Sequence, residues 1–175
     1  MLKAERDANI KFIGKVGEHL LKTVSSKWNR LVKMSEDEYD PVKDMNIDSF
    51  TAEVKTLTLI QNCNAFFLER KQQKKCFEVD RLFFVEMPMY TDWPIYIYES
   101  MQPRKENSEN GYINSTAGRF FKLTNMHIVD IIDDRYWIDL IKSKSISDYI
   151  YKKPATPEQT YDRKQLISKL PRSII

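Results

Sequence analysis

Between Lys43 and Thr58 the chain reads Lys-Asp-Met-Asn-Ile-Asp-Ser-Phe-Thr-Ala-Glu-Val-Lys-Thr-Leu-Thr, with apolar and polar residues alternating on either side of Asp48-Ser49. No other stretch restricts the fold as much. Side chains alternate between the two faces of a strand, so a period of two commits this segment to β-structure. Asp48-Ser49 supplies a two-residue hairpin loop, although Asp-Gly would be the stronger turn signal. Closing the hairpin there sets Ile47 opposite Phe50, Asn46 opposite Thr51 and Asp44 opposite Glu53. One face then carries Met45, Ile47, Phe50, Ala52 and Val54, all apolar. The other carries Asp44, Asn46, Thr51, Glu53 and Lys55.

That register places two carboxylates and a lysine together on a polar face. Cβ atoms of directly opposed residues lie about 4.5–5.5 Å apart, and two anions at that separation repel unless a cation sits between them. A divalent metal resolves the repulsion. Magnesium takes hard oxygen ligands and keeps several of its waters, and a water made more acidic by a metal can attack a phosphodiester. Lys55, two residues along the same face, is placed to orient that water and to offset charge on the attacked phosphate.

The remaining elements are read from periodicity. Ile13, Val16, Gly17, Leu20, Leu21, Val24 and Trp28 recur at three- and four-residue spacing, which predicts one amphipathic helix over residues 7–28. Residues 35–40 form an acidic connector. Asn64 to Leu68 reads as a strand and Glu69 to Cys76 as a short basic helix. Arg81 to Met87 is an apolar run of buried-strand length, and Ile95 to Tyr98 gives a further strand. Residues 102–118, rich in polar residues and holding two of the four glycines, read as a surface loop. Arg119 to Leu123 reads as an edge strand and Tyr136 to Ile141 as a helical turn. Together these predict an α/β fold with a mixed central sheet flanked by helices. The expected organisation is one domain over residues 1–150, followed by an extended basic tail over 151–175.

Composition narrows the class only slightly. The 175 residues are 42% hydrophobic and 30% charged, which are globular values. No apolar run approaches the ~18 residues of a membrane span, and the polar first residues lead into no apolar stretch, so no leader is expected. Cys63 and Cys76 make neither a disulfide framework nor, with His19 and His127, a zinc pattern. Two reduced thiols and a cytoplasmic location are expected. The net charge is only +3, but residues 151–175 hold six basic side chains against two acidic ones. Such a segment can follow a phosphate backbone.

An Asp, eight residues, and then Glu-x-Lys across a hairpin resembles the metal site of the PD-(D/E)XK nucleases, which include restriction enzymes, Holliday-junction resolvases and repair nucleases. The resemblance covers roughly residues 13–87, in the order helix, hairpin, strand, short helix and buried strand. It implies a restriction-endonuclease-like fold and a magnesium-dependent endonuclease acting on DNA, with manganese able to replace magnesium. Asp44 and Glu53 would be metal ligands and Lys55 the catalytic cation. Gly17-Glu18 is similar to the glutamate-bearing first helix of resolvase-like members, which makes Glu18 a further ligand. A homodimer or larger assembly is also implied. The alternative is a nuclease-like fold that does not cut and serves as a DNA-binding or assembly component.

The match departs from the family in places. Lys43, not Pro, precedes Asp44, and Tyr39-Asp40-Pro41 offers Asp40 as a rival first ligand of the same strand parity. A second Glu-x-Lys, Glu69-Arg70-Lys71, lacks a partnering acidic strand and reads as a solvated helix start. Lys71, Gln72, Lys74 and Lys75 read as a solvated face. His19 reads as surface, Asp80 and Glu86 as groups in need of partners, and Asp130, Asp133 and Asp134 as a helix N-terminal region. Tyr90, Trp93, Tyr96 and Tyr98 form an aromatic stretch that could stack on bases but reads as core, as alternate aromatics on a strand usually are.

Overall fold

The computed structural model describes residues 2–37, 43–100, 112–114, 118–144 and 153–173. It opens with α1 (Lys3–Lys27), whose buried stripe is Ile13, Val16, Gly17, Leu20, Leu21, Val24 and Ser25. Trp28, expected on that stripe, is 54% exposed, because the helix ends at Lys27 and the chain turns away there. Strands β1 (Val32–Met34), β2 (Met45–Ile47) and β3 (Phe50–Leu57) follow as an antiparallel meander. The first of these, only three residues long, is too short to announce itself by periodicity.

The hairpin register is the expected one, with Met45 opposite Ala52, Asn46 opposite Thr51 and Ile47 opposite Phe50. Asp48 turns the chain with φ +51°, a left-handed conformation that Asp tolerates better than most residues. Its carboxylate accepts from the Leu31 N–H at 2.9 Å and pairs with Arg30 at 3.2 Å, tying the turn to the end of β1. Phe50, assigned to the apolar face, is half exposed beside the turn. The Arg81 guanidinium lies 5.8 Å from its ring centre.

Strand β4 (Ala65–Glu69) leaves this sheet, and a single 3-10 turn (Arg70–Gln72) leads into α2 (Gln73–Glu78). The chain then returns as β5 (Arg81–Glu86), parallel to β3. Strand β6 (Ile95–Ser100) and strand β9 (Met126–Ile132) complete a mixed six-stranded sheet of order β1-β2-β3-β5-β6-β9. A second sheet of order β4-β8-β7 is built with β7 (Tyr112–Asn114) and β8 (Gly118–Lys122). Helices α3 (Arg135–Lys144) and α4 (Pro157–Ser168) follow. The α/β architecture with a mixed central sheet is as the sequence predicts. No helix among the described residues is long and apolar enough to cross a membrane.

Alternation along the strands gives the large sheet two buried faces. On one face, Met45, Ile47, Ala52, Val54, Phe83, Val85 and Ile97 pack with Leu20, Leu21 and Val24 of α1 and Ile138 and Ile141 of α3. On the other, Leu82, Phe84, Tyr98 and Ile128 meet Phe66, Leu68 and Phe121 of the small sheet, Cys76 of α2 and Ile167 of α4. The Phe66 and Phe84 rings stack at 4.8 Å. The polar face of the hairpin therefore looks toward α2 and the small sheet.

Several expectations are corrected. The expected extended tail over 151–175 is not one: its described part, residues 153–173, holds the helix α4. Thr156 and Gln159 form a reciprocal capping box and Pro157 opens the helix, a strong start signal for α4. Ile167 and Leu170 are buried in the same core as the strands, so this segment belongs to the domain and does not trail from it. Residues beyond α4 pair with β9, through Ile128 N–H to the Pro171 carbonyl and Ser173 N–H to the Ile128 carbonyl, both at 2.8 Å. The expected loop over 102–118 contains the strand Tyr112–Asn114. Asp130 lies within β9 and not at a helix start, whereas Asp134 caps the approach to α3 by accepting from Tyr136 N–H. Asp80 and Glu86 do have partners: Asp80 accepts from Thr51, and Glu86 from Tyr98 and Arg163.

Candidate functional site

Asp44, Glu53 and Lys55 meet on one side of the hairpin, together with a fourth residue, Lys75 of α2. Glu53 is 1% exposed, because it points from the middle of β3, flanked by β2 and β5, into the space under α2. Lys55, two residues along the same face, sets its ammonium 2.6 Å from Glu53 Oε1. Asp44 sits at the open end of β2, and its Oδ2 accepts from Val54 N–H at 2.8 Å. That bond turns the carboxylate inward over β3. Its Oδ1 then takes the Lys75 ammonium at 2.6 Å, and the same ammonium lies 3.0 Å from Glu53 Oε2.

The cation between the two carboxylates is thus a lysine of the chain itself. Reading residues 71–75 as a solvated face is wrong for Lys75. The six-residue helix is short, and burial of Cys76 beside Lys75 orients it. Sequence reasoning missed this because Lys75 lies 31 positions from Asp44, on an element whose charge pattern looks uniformly solvated. The only available signal was the unbalanced pair of acids, which requires some cation.

Burial governs the titration of the site. It pushes Glu53 up to about 7; Lys55 opposes that rise and Asp44 adds to it. Burial alone would lower both lysines, but the Glu53 carboxylate beside Lys55, and Asp44 and Glu53 beside Lys75, hold both ammoniums above the ordinary lysine value. The neighbouring Cys76 thiol is pushed up to about 12, chiefly by burial, and is inert as a nucleophile. Cys63 is free and exposed.

Glu18 approaches from α1 along a cleft of about 250 Å³ that it lines with Lys15, His19, Lys22, Lys43 and Asp44. Its pKa is raised by burial first and by Asp44 second, so it senses the site, while Lys15 pairs with it at 3.2 Å. It does not close on the other two acids. Among the described residues no three His, Cys, Asp or Glu side chains converge as a metal-binding group. His19 is exposed, as expected, and packs against the Trp137 ring at 5.0 Å. The rival first ligand Asp40 lies outside the described residues.

The close approach of α1 to β3 depends on Gly17. A Cβ at this position would fall 1.9 Å from Thr56 Oγ1. Thr56 is flanked in β3 by Lys55, so any shift that relieves the clash is felt at the site. Gly17→Ala is expected to lower stability by roughly 1–3 kcal/mol, the usual range for overpacking. Urea unfolding checks this, and a midpoint equal to wild type would mean that the helix–strand contact is looser than described.

The donor set suits a hard divalent ion. Two carboxylates suffice for magnesium, which retains waters at its other positions. Glu53 Oε2 is buried, and its contact is the Lys75 ammonium at 3.0 Å. No family model matches the chain, and no curated protein or solved structure matches it either.

Proposed function

We propose that this chain is a magnesium-dependent endonuclease acting on DNA, with the PD-(D/E)XK type of site that its sequence resembles. One observation carries the reading: Asp44 and Glu53, from opposite strands of a hairpin, come close enough for one ammonium to touch both, with Lys55 at the same point. The order of elements supports a restriction-endonuclease-like fold. Helix α1 precedes the hairpin, and a crossover through α2 returns to a buried strand parallel to β3.

Asp44 Oδ1 and Glu53 Oε2 are the oxygens that would hold the ion, and Glu18 lines the same cleft as Asp44. When bound, magnesium supplies an acidified water and charge compensation at the phosphate. Lys55 contributes a fixed positive charge where negative charge develops on the attacked phosphate. It keeps that charge because Glu53 stabilises the ammonium. Lys15, Lys22 and Lys43 along the cleft give the approaching backbone cationic contacts.

The test is incubation with supercoiled, linear and branched DNA, with magnesium, with manganese and with chelator. Cleavage is expected with either metal and none with chelator. A chain that binds these DNAs but cuts none of them would be the second reading, a nuclease-fold binding component. The observation favouring that reading is Lys75, which already neutralises the acids without a metal.

A further inference from the structure

The polar face of the hairpin holds one ammonium more than the resemblance requires. Lys55 sits on Glu53 Oε1, and Val54 N–H occupies Asp44 Oδ2. The remaining oxygens, Asp44 Oδ1 and Glu53 Oε2, are the two that a shared cation must use. Lys75 stands on both. Resting on the metal-site reading given above, we infer that Lys75 is a resident counter-cation that competes with a divalent ion for the space between Asp44 and Glu53, and must swing out for that ion to bind.

Geometry permits the exchange. The backbone of α2 is held in place: the Gln73 side-chain amide donates to the Leu68 carbonyl at 3.2 Å, and Cys76 is buried in the core. The Lys75 side chain is 23% exposed, against 1% for Glu53. Its long flexible stem can therefore move the charge to water while the helix stays in place. Lys55 lies on the far oxygen of Glu53 and need not move. The Lys75 contact to Glu53 is also the longer of its two, 3.0 Å against 2.6 Å to Asp44. A divalent ion meets hard oxygens there and has twice the charge, so it replaces the ammonium when its concentration is sufficient. Without metal, Lys75 keeps Asp44 and Glu53 compensated and the hairpin closed.

The experiment titrates magnesium, and manganese in parallel, into the full chain without DNA, using isothermal titration calorimetry. Lys75→Met keeps the length of the side chain and removes its charge. It is expected to bind either ion at least about tenfold more tightly than wild type, because the competing charge is gone. Lys75→Arg is expected to stay as weak as wild type or weaker, and Asp44→Asn to lose binding. Thermal unfolding gives a second readout: Lys75→Met melts below wild type without metal and gains more from magnesium. Equal affinity in wild type and Lys75→Met would overturn the inference and leave the metal site standing. Absence of binding in every variant would overturn both. Should Lys75→Met not fold, Lys75→Gln takes its place. If both are unfolded and magnesium at saturation does not restore them, metal cannot replace the ammonium and the inference is wrong.

Discussion

Lys55→Ala is expected to reduce DNA cleavage by roughly 10²–10³-fold while the protein remains folded and still binds magnesium. The size follows from removing one positioned charge at the group that becomes more negative in the transition state. The fold should tolerate the change, because Lys55 fills no part of the apolar core and its ammonium pairs with Glu53. Magnesium binding should persist because the ligands are carboxylates; losing the ammonium on Glu53 Oε1 leaves Oε2 in place. Glu53→Ala should behave differently, losing metal affinity and cleavage together. Single-turnover cleavage of a labelled duplex, alongside calorimetric metal titration, separates the two. Equal rates for wild type and Lys55→Ala would remove Lys55 from the mechanism and give preference to the non-cleaving reading.

The second large effect is on stability, and it lies away from the site. Arg163 of α4 donates to both oxygens of Glu86, at 2.6 and 2.5 Å, and Tyr98 OH donates to the same carboxylate at 2.7 Å. Both charged side chains are buried. The guanidinium also lies 4.6 Å from the centre of the Trp93 ring, within cation–π range. Arg163→Ala would strand the Glu86 charge at the end of β5, and breaking a buried pair from one side costs about 3–5 kcal/mol. In a chain of this length that corresponds to a fall in melting temperature of roughly 10 °C. Replacing both partners with apolar residues of similar volume should recover most of the loss, because neither charge is then left unpaired. A denaturant titration showing less than about 1 kcal/mol lost in Arg163→Ala would mean that α4 is not held by this pair.

The same pair changes how the C-terminal charge must be studied. Deleting residues 152–175 to test for a nucleic-acid contact would remove Arg163, Ile167 and Leu170 from the core. Loss of DNA binding would then report unfolding. Reversing the charges of exposed Lys164 and Lys169 probes phosphate contact without that damage.

What could be read directly from the residues was local and periodic. The alternation about Asp48-Ser49 set the hairpin register to the residue, and with it the shared face of Asp44, Glu53 and Lys55. A one-residue slip would have moved Met45, Ile47, Ala52 and Val54 off the α1 face and driven Glu53 and Lys55 into the apolar core there, so the apolar pattern admits a single register. The stripe from Ile13 to Val24 set the buried face of α1 for the same reason. Strand β9 escaped notice because Met126–Ile132 is apolar on both faces except at His127 and Asp130, and carries no clean period. The C-terminal helix was hidden by composition: its polar, proline-flanked sequence buries few residues, and one of these is an arginine.

Which side chains complete the site was decided by tertiary structure alone. Lys75 and Asp44 are brought together by the crossover from β3 through α2 to β5, and no local period reports a contact over 31 residues. Glu86 and Arg163 meet over 77 residues by the same kind of docking. Periodicity encodes which face of an element turns inward, because burial of apolar area is a property of each residue. It does not encode which charge from a distant element will arrive there. That depends on the packing of layers, which places Lys75 over one buried and one partly buried carboxylate and leaves Lys71, of similar sequence context, exposed.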